Sequence, residues 1–288
     1  MSVVLDTVVP VFSIVALGYL MGGRRGGDVG ALANLALMVA SPALLFSVLG
    51  GTPIDLGRMA VLAAGASCTV LITGLVAGLY VRASGVGRGF VLPSVFWNGG
   101  NMGLACARLA FGEEGLDAAA VLFVTIALHN AFFGVWVAKG KSGMAEALRM
   151  PLLYGAAGGV AIALSGVALP RMVMEPIEML GAMAIPLMLL TLGLQLRAFE
   201  VRDVHHAAVS VCIRLGVGIG CMFAFVTALG VTGVDRQVLL LIGVMPPAVI
   251  NAVVAQRYGA DPALVASAIV LGTLSSLLAI PLVLLLVA

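Results

Sequence analysis

Between Arg88 and Arg108 the chain runs nineteen residues without a formal charge, and runs of this kind recur from one end to the other. About 20 apolar residues are what an α-helix needs to cross the hydrocarbon of a bilayer. A lipid-crossing segment must satisfy its backbone polar groups internally, so such runs fold as helices. Breaks at charges and at Gly/Pro clusters delimit ten candidate spans: 4–22, 29–49, 59–81, 89–111, 116–138, 148–169, 176–196, 204–230, 237–257 and 263–287. The expected fold class is therefore an all-α polytopic membrane protein of ten transmembrane helices. Composition agrees: 62% of the 288 residues are hydrophobic and 10% charged, with a mean hydropathy of +1.18. Soluble domains carry about 25% charged residues. Short connections leave no room for a nucleotide-binding domain, which excludes an ATP-driven pump within this chain. A dispersed net charge of +2 gives no footprint for nucleic acid.

Lys and Arg alternate in density from loop to loop. The odd-numbered loops hold Arg24, Arg25, Arg82, Arg88, Lys139, Lys141, Arg149, Arg197, Arg202 and Arg257. The even-numbered ones hold only Arg58, Arg171 and Arg236, while Arg108 and Arg214 fall inside spans. By the positive-inside rule both termini lie on the non-cytoplasmic side of a plasma membrane. The first twenty residues contain Asp6 but no Lys or Arg, so they are expected to be a retained span rather than a signal peptide. Cys68, Cys106, Cys212 and Cys221 lie far apart in apolar runs without metal-ligand spacing, and are expected to be small buried hydrophobes.

The halves resemble each other. Ser41–Phe46 (SPALLF) corresponds to Ile185–Leu190 (IPLMLL), 144 residues on, and Ala110–Leu116 (AFGEEGL) to Arg257–Ala263 (RYGADPA), 147 residues on. Five spans per half, an odd number, insert the second half with opposite orientation. That is an inverted-topology repeat, a common plan of secondary transporters, with residues 1–138 as the first unit and 148–288 as the second.

Each half also carries an interruption at its middle. The fourth span is centred on Asn98-Gly99-Gly100-Asn101-Met102-Gly103, and an offset of 147 lands on Met245-Pro246-Pro247-Ala248 in the ninth. Glycine lets a backbone leave the helix at low steric cost; Pro247 lacks an N–H and disfavours helical geometry at Pro246. Irregular backbone at that depth must face protein or a wet cavity. Half-helix N-termini carry roughly half a positive charge each and present free N–H groups. Two broken crossover helices, the fourth and ninth, then form an anion site without a basic side chain. Asn98, Asn101 and Asn251 can add amide groups, with Met102 and Met245 as apolar wall.

On these motifs the chain is similar to the auxin efflux carrier family. Gly100–Leu116 (GNMGLACARLAFGEEGL), Met245–Leu282 and SPALLF carry the resemblance, which covers nearly the whole chain. It implies five-plus-five topology with crossing helices, a dimerising scaffold (1–49 and 148–196), a mobile transport domain (59–138 and 204–288), elevator-type alternating access, and carboxylate substrates such as malonate, malate or auxin-like acids in a bacterial inner membrane. It is related in fold to sodium/bile acid symporters, so sodium-coupled anion symport is the alternative. One departure stands out: Ala105 follows Leu104 where the family usually has Pro, so the first interruption rests on glycines.

Accessory candidates are Arg214, to attract a carboxylate, or else to snorkel toward the cytoplasmic interface or cap helix carbonyls; His129 and Asn130 at mid-span, the His for proton coupling or as a hydrogen-bonded core residue; and Thr273 and Ser276, polar neighbours of the crossing. Arg108 is expected to pair with Glu113 or Glu114. No Asp or Glu stands at a span centre, which weakens carboxylate-based coupling by Na+ or H+; a sodium site of carbonyls and hydroxyls and an uncoupled carrier driven by the membrane potential both stay open. No nucleophile–base pair or metal-ligand set lies at membrane depth, so neither an enzyme nor a cofactor is expected.

Overall fold

A computed structural model of the chain describes residues 2–22, 29–51, 55–140, 145 and 148–287. Arg24, Arg25 and Lys141, three of the loop cations counted above, lie outside the described residues. The described residues are mostly helical and contain no strand. In order they form α1 (Ser2–Gly22), α2 (Val29–Gly51), α3 (Leu56–Ser84), α4 (Val91–Val95), α5 (Gly99–Lys139), α6 (Pro151–Ser165), α7 (Arg171–Ala198), α8 (Val204–Ala228), α9 (Gly233–Gly243), α10 (Ile250–Tyr258) and α11 (Pro262–Val287). Seven of them, α1, α2, α3, α5, α7, α8 and α11, are long and apolar enough to cross a membrane, and α6 is a shorter apolar helix. This is a polytopic membrane protein.

The helix count by length differs from the run count for local reasons. The run 89–111 is not one helix: α4 ends at Val95, Phe96–Asn98 is extended or irregular, and the chain re-enters a helix at Gly99. The run 237–257 likewise splits into α9 and α10, with 244–249 irregular around Pro246 and Pro247. Within α5 the axis breaks at Gly112, whose φ of 69° and ψ of −156° are open only to glycine.

Helix ends follow from the residues at them. Asp55 caps α3 by accepting from the N–H groups of Gly57 (2.8 Å) and Arg58 (3.0 Å), and Gly85 closes it in a left-handed turn. Pro151 opens α6 at a position where its missing N–H costs nothing. Small residues let helices touch backbone to backbone, as membrane helices must when lipid offers no hydrophobic drive between them. A methyl on Gly193 would lie 2.0 Å from the Val15 carbonyl oxygen, and one on Gly18 would lie 2.2 Å from that of Leu190, so α1 and α7 meet through glycine. Gly155 against Pro42 and Gly159 against Phe46 do the same for α6 and α2. A bidentate pair between Arg58 and Asp235 ties α3 to α9 at 2.7–2.9 Å.

The cysteines correct one expectation. Only Cys106 is buried; Cys68 and Cys221 are half-buried and Cys212 is exposed. In lipid an outward-facing thiol meets an apolar solvent, so the drive that buries it in water is missing. Arg108 pairs with Glu113 at 2.9 Å.

Candidate functional site

The two irregular stretches meet. Trp97 and Pro247 form an isolated antiparallel bridge. The Asn98 N–H donates to the Pro246 carbonyl (2.8 Å), and the Ala248 N–H donates to the Phe96 carbonyl (2.9 Å). Backbone groups released by each interruption are thus satisfied by the other, as a low-dielectric interior requires. A side-chain relay extends the seam: Asn251 Nδ2 donates to the Phe96 carbonyl (3.0 Å), and Asn130 Nδ2 donates to Asn251 Oδ1 (2.9 Å). Asn251 is fully buried and Asn130 nearly so.

On one side of this seam lies a cavity of about 360 Å³, mostly apolar. Its deep wall is Asn98, Gly99, Gly100 and Asn101 at the start of α5, Ala248–Ile250 at the start of α10, and Asn130. The facing wall is Leu37, Met38, Met150, Leu152 and Met188 from α2, α6 with its approach, and α7. Two exposed cations, Arg149 and Arg257, also line it. The cavity therefore sees the N-terminal ends of α5 and α10, where the first N–H groups of a helix lack intrahelical acceptors and the dipole is positive. Asn98 Oδ1 accepts from the Asn101 N–H (3.1 Å), capping the first turn of α5. That bond leaves Asn98 Nδ2 as a donor with no partner, on a side chain only 3% exposed.

The sequence candidates divide by position. Asn98, Gly99, Gly100, Asn101, Ala248 and Asn130 line the cavity. Pro246, Pro247 and Asn251 build the seam behind it. Met102, Gly103 and Met245 are buried but are not in the cavity wall; the methionines that face it are Met38, Met150 and Met188. The first turn of α5 is wide, a π-helical turn over Gly99–Gly103, and it turns Met102 inward. His129 bonds through Nδ1 to the Thr125 carbonyl (2.8 Å) and does not line the cavity. Ser276 donates to the Thr273 carbonyl (2.6 Å), whereas Thr273 Oγ1 is buried without a partner; neither faces the cavity.

Arg214 is fully buried on a π-helical turn of α8 and stands away from the cavity. Nη1 donates to the carbonyl of Val95, the last residue of α4 (3.2 Å), and Nη2 to that of Gly243, the last residue of α9 (3.0 Å). Its guanidinium lies 5.1 Å from the Trp97 ring centre. Among the described residues it has no carboxylate partner. The same side chain therefore caps the C-terminal ends of both interrupted helices.

Sequence reasoning missed Phe96 and Trp97 of the seam, Phe123, which also lines the cavity, and the wall from α2, α6 and α7. Trp97 alone carried a signal, as an aromatic beside the glycines; the opposite wall depends on tertiary packing with no local mark.

Residues 135–284, just over half of the chain, match the family model described as membrane transport protein. The chain is 28% identical over 298 aligned positions to an uncharacterized transporter of Methanothermobacter thermautotrophicus, with 96% of each chain covered. It is also 28% identical over 205 positions to an uncharacterized transporter of Methanocaldococcus jannaschii; that match takes in 67% of this chain and 66%, just under two thirds, of the relative.

Proposed function

This chain belongs to the membrane transport protein family, that of the auxin efflux carriers, and on that premise we propose that it carries small organic anions, carboxylates in particular, across the bilayer. The anion sits at the deep end of the cavity, against the N-terminal ends of α5 and α10. The positive ends of the two helix dipoles and the amides of Asn98, Asn101 and Asn130 receive the carboxylate, and the apolar wall receives the rest of the molecule. One observation carries this reading: Asn98 Nδ2, a buried donor without an acceptor, belongs to a residue lining the cavity at a helix N-terminus. A donor left unpaired costs about 1–3 kcal/mol, and an anionic ligand removes that cost.

The larger plan proposed is ten spans in two inverted five-span units. It is supported by the two interruptions that meet, and by Gly112 and Gly259, which take positive φ values of 69° and 66° at the corresponding points of the two halves. The proposed scaffold (1–49 and 148–196) gains support from the glycine-mediated contacts of α1 with α7 and α2 with α6. Its partner, the transport domain (59–138 and 204–288), holds the seam. The cavity lies between residues of the two groups, which fits an elevator in which one slides past the other. By the charge count, the exposed cations Arg149 and Arg257 mark the cytoplasmic end, so the cavity is open inward. Pairing through the scaffold makes a homodimer in the inner membrane.

Uptake into proteoliposomes tests the reading. A saturable flux of labelled small carboxylates is expected, competed by acids of similar size and not by their amides. Equal competition by acid and amide overturns it.

A further inference from the structure

Among the described residues, five buried side-chain atoms have no hydrogen-bond partner: Thr7 Oγ1, Trp97 Nε1, Asn98 Nδ2, Arg214 Nε and Thr273 Oγ1. Only two of them belong to residues that line the cavity, Trp97 and Asn98, and these are neighbours in the chain. Both atoms are donors and cannot accept. Unpaired buried donors are rare in folded proteins, because each gives up its bond to water for nothing.

The indole is held so that its N–H edge meets the cavity wall. Trp97 is 1% exposed. Its backbone is fixed by the bridge to Pro247, and the Arg214 guanidinium lies over its ring, 5.1 Å from the centre, in a cation–π arrangement. The ring face is thus taken and the edge is left. Nε1 lies 3.3 Å from the point at which a Cβ on Gly99 would stand, and Ile126 Cγ2 lies at the same distance from that point. Gly99 and Ile126 both line the cavity. The N–H therefore sits among cavity residues, beside a glycine that brings no side chain to cover it.

We infer that Trp97 Nε1 is the second hydrogen-bond donor for the transported carboxylate, one oxygen accepting from Asn98 Nδ2 and the other from the indole N–H. The inference rests on the reading of this end of the cavity as an anion site, and it narrows what that site selects. Helix N-termini attract any anion. Two neutral donors from consecutive residues add a requirement of shape: two acceptor oxygens on one carbon. A primary amide or an alcohol offers one acceptor oxygen and leaves the other donor unpaired, which is how a site built from donors rejects near-isosteres.

The test uses the full-length protein in lipid nanodiscs, titrated calorimetrically with monocarboxylates from acetate to hexanoate and with benzoate. The tightest binder and its primary amide are then the paired probes. The chain has two tryptophans, Trp97 and Trp136, so labelling with 15N-tryptophan gives two indole signals, which Trp136→Phe tells apart. Saturating carboxylate should move the Trp97 indole proton downfield in step with the heat of binding, and the amide at the same concentration should leave it in place. Trp97→Phe, and the protein with benzothienylalanine at position 97, where sulfur replaces the N–H at nearly constant volume, should each bind the carboxylate about ten- to a hundredfold more weakly. A Trp97 signal that stays in place at saturating carboxylate overturns the inference while leaving the anion site standing. So does a benzothienylalanine protein that binds within about threefold of wild type, since only the bulk of the ring would then matter. Absence of binding by every panel member instead overturns the anion site itself. Should Trp97→Phe fail to fold, the indole signal and the benzothienylalanine protein decide alone.

Discussion

Replacing Asn98 by Asp changes one NH2 for an oxygen and little else in volume. Asn98 Oδ1 now accepts from the Asn101 N–H at 3.1 Å, and a carboxylate serves as well as an amide at that cap. A negative charge at the first turn of α5 adds about 0.3–1 kcal/mol of favourable interaction with the helix dipole. Burying a carboxylate at a residue only 3% exposed costs more than the cap and dipole return, so the empty protein should unfold at a somewhat lower temperature. Anion binding should collapse, for two separable reasons. The unpartnered Nδ2 donor is lost, and a hydrogen bond to a charged group is worth about 1.5–3 kcal/mol. A second negative charge about 4 Å from the ligand adds repulsion of up to about 4 kcal/mol at an effective dielectric near 20. With about 1.4 kcal/mol per tenfold, the affinity should fall at least a hundredfold. Titration calorimetry of purified protein with the transported carboxylate measures it. Acidification protonates the introduced carboxyl, restores an O–H donor and removes the repulsion, so part of the affinity should return as pH falls. A neutral-pH affinity within threefold of wild type would refute the role of Asn98.

Three further outcomes follow from the same geometry. Asn251→Leu leaves Asn130 Nδ2 without its 2.9 Å acceptor, while the Phe96 carbonyl keeps the Ala248 N–H; the orphaned donor should cost about 1–3 kcal/mol, read as a lowered midpoint in thermal unfolding, and an unchanged midpoint would remove the relay from the account. Gly272→Ala places a methyl 2.3 Å from Pro247 Cδ, and overpacking of about 1–3 kcal/mol should lower both thermal stability and uptake at 25 °C; wild-type behaviour would mean that α11 does not brace the seam. Arg149→Gln with Arg257→Gln removes the exposed cations of the cavity, which should slow uptake at subsaturating anion in low salt and have little effect at about 1 M salt, where the screening length is about 3 Å; a defect independent of ionic strength would contradict a steering role.

The membrane class and the positions of both interruptions were legible because each has a local cause. Charge-free runs near 20 residues, Asn and Gly at the centre of one, and Pro246–Pro247 at the centre of the other are properties of the chain alone. Pairing of the interruptions was not legible in detail. Trp97 opposite Pro247, and the donation of Asn98 N–H and Ala248 N–H across the seam, depend on register between segments some 150 residues apart. For the same reason Met102 and Met245 read as cavity wall although both are buried elsewhere: periodicity in an interrupted helix is lost where the turn widens at Gly99–Gly103. Arg214 illustrates the other limit. Its place within a span was evident, but nothing near it in sequence shows that it is buried, that Val95 and Gly243 end helices at that place, or that Gly218 makes room for it.

The most direct measurement is anomalous scattering from crystals soaked with a brominated carboxylate that the protein transports. The anomalous peak should fall inside the cavity, with the carboxyl density within hydrogen-bonding distance of Asn98 Nδ2 and the first N–H groups of α5 or α10. A bromine peak only beside Arg149 and Arg257, with the helix ends unoccupied, would contradict an anion site made by the meeting of two interrupted helices.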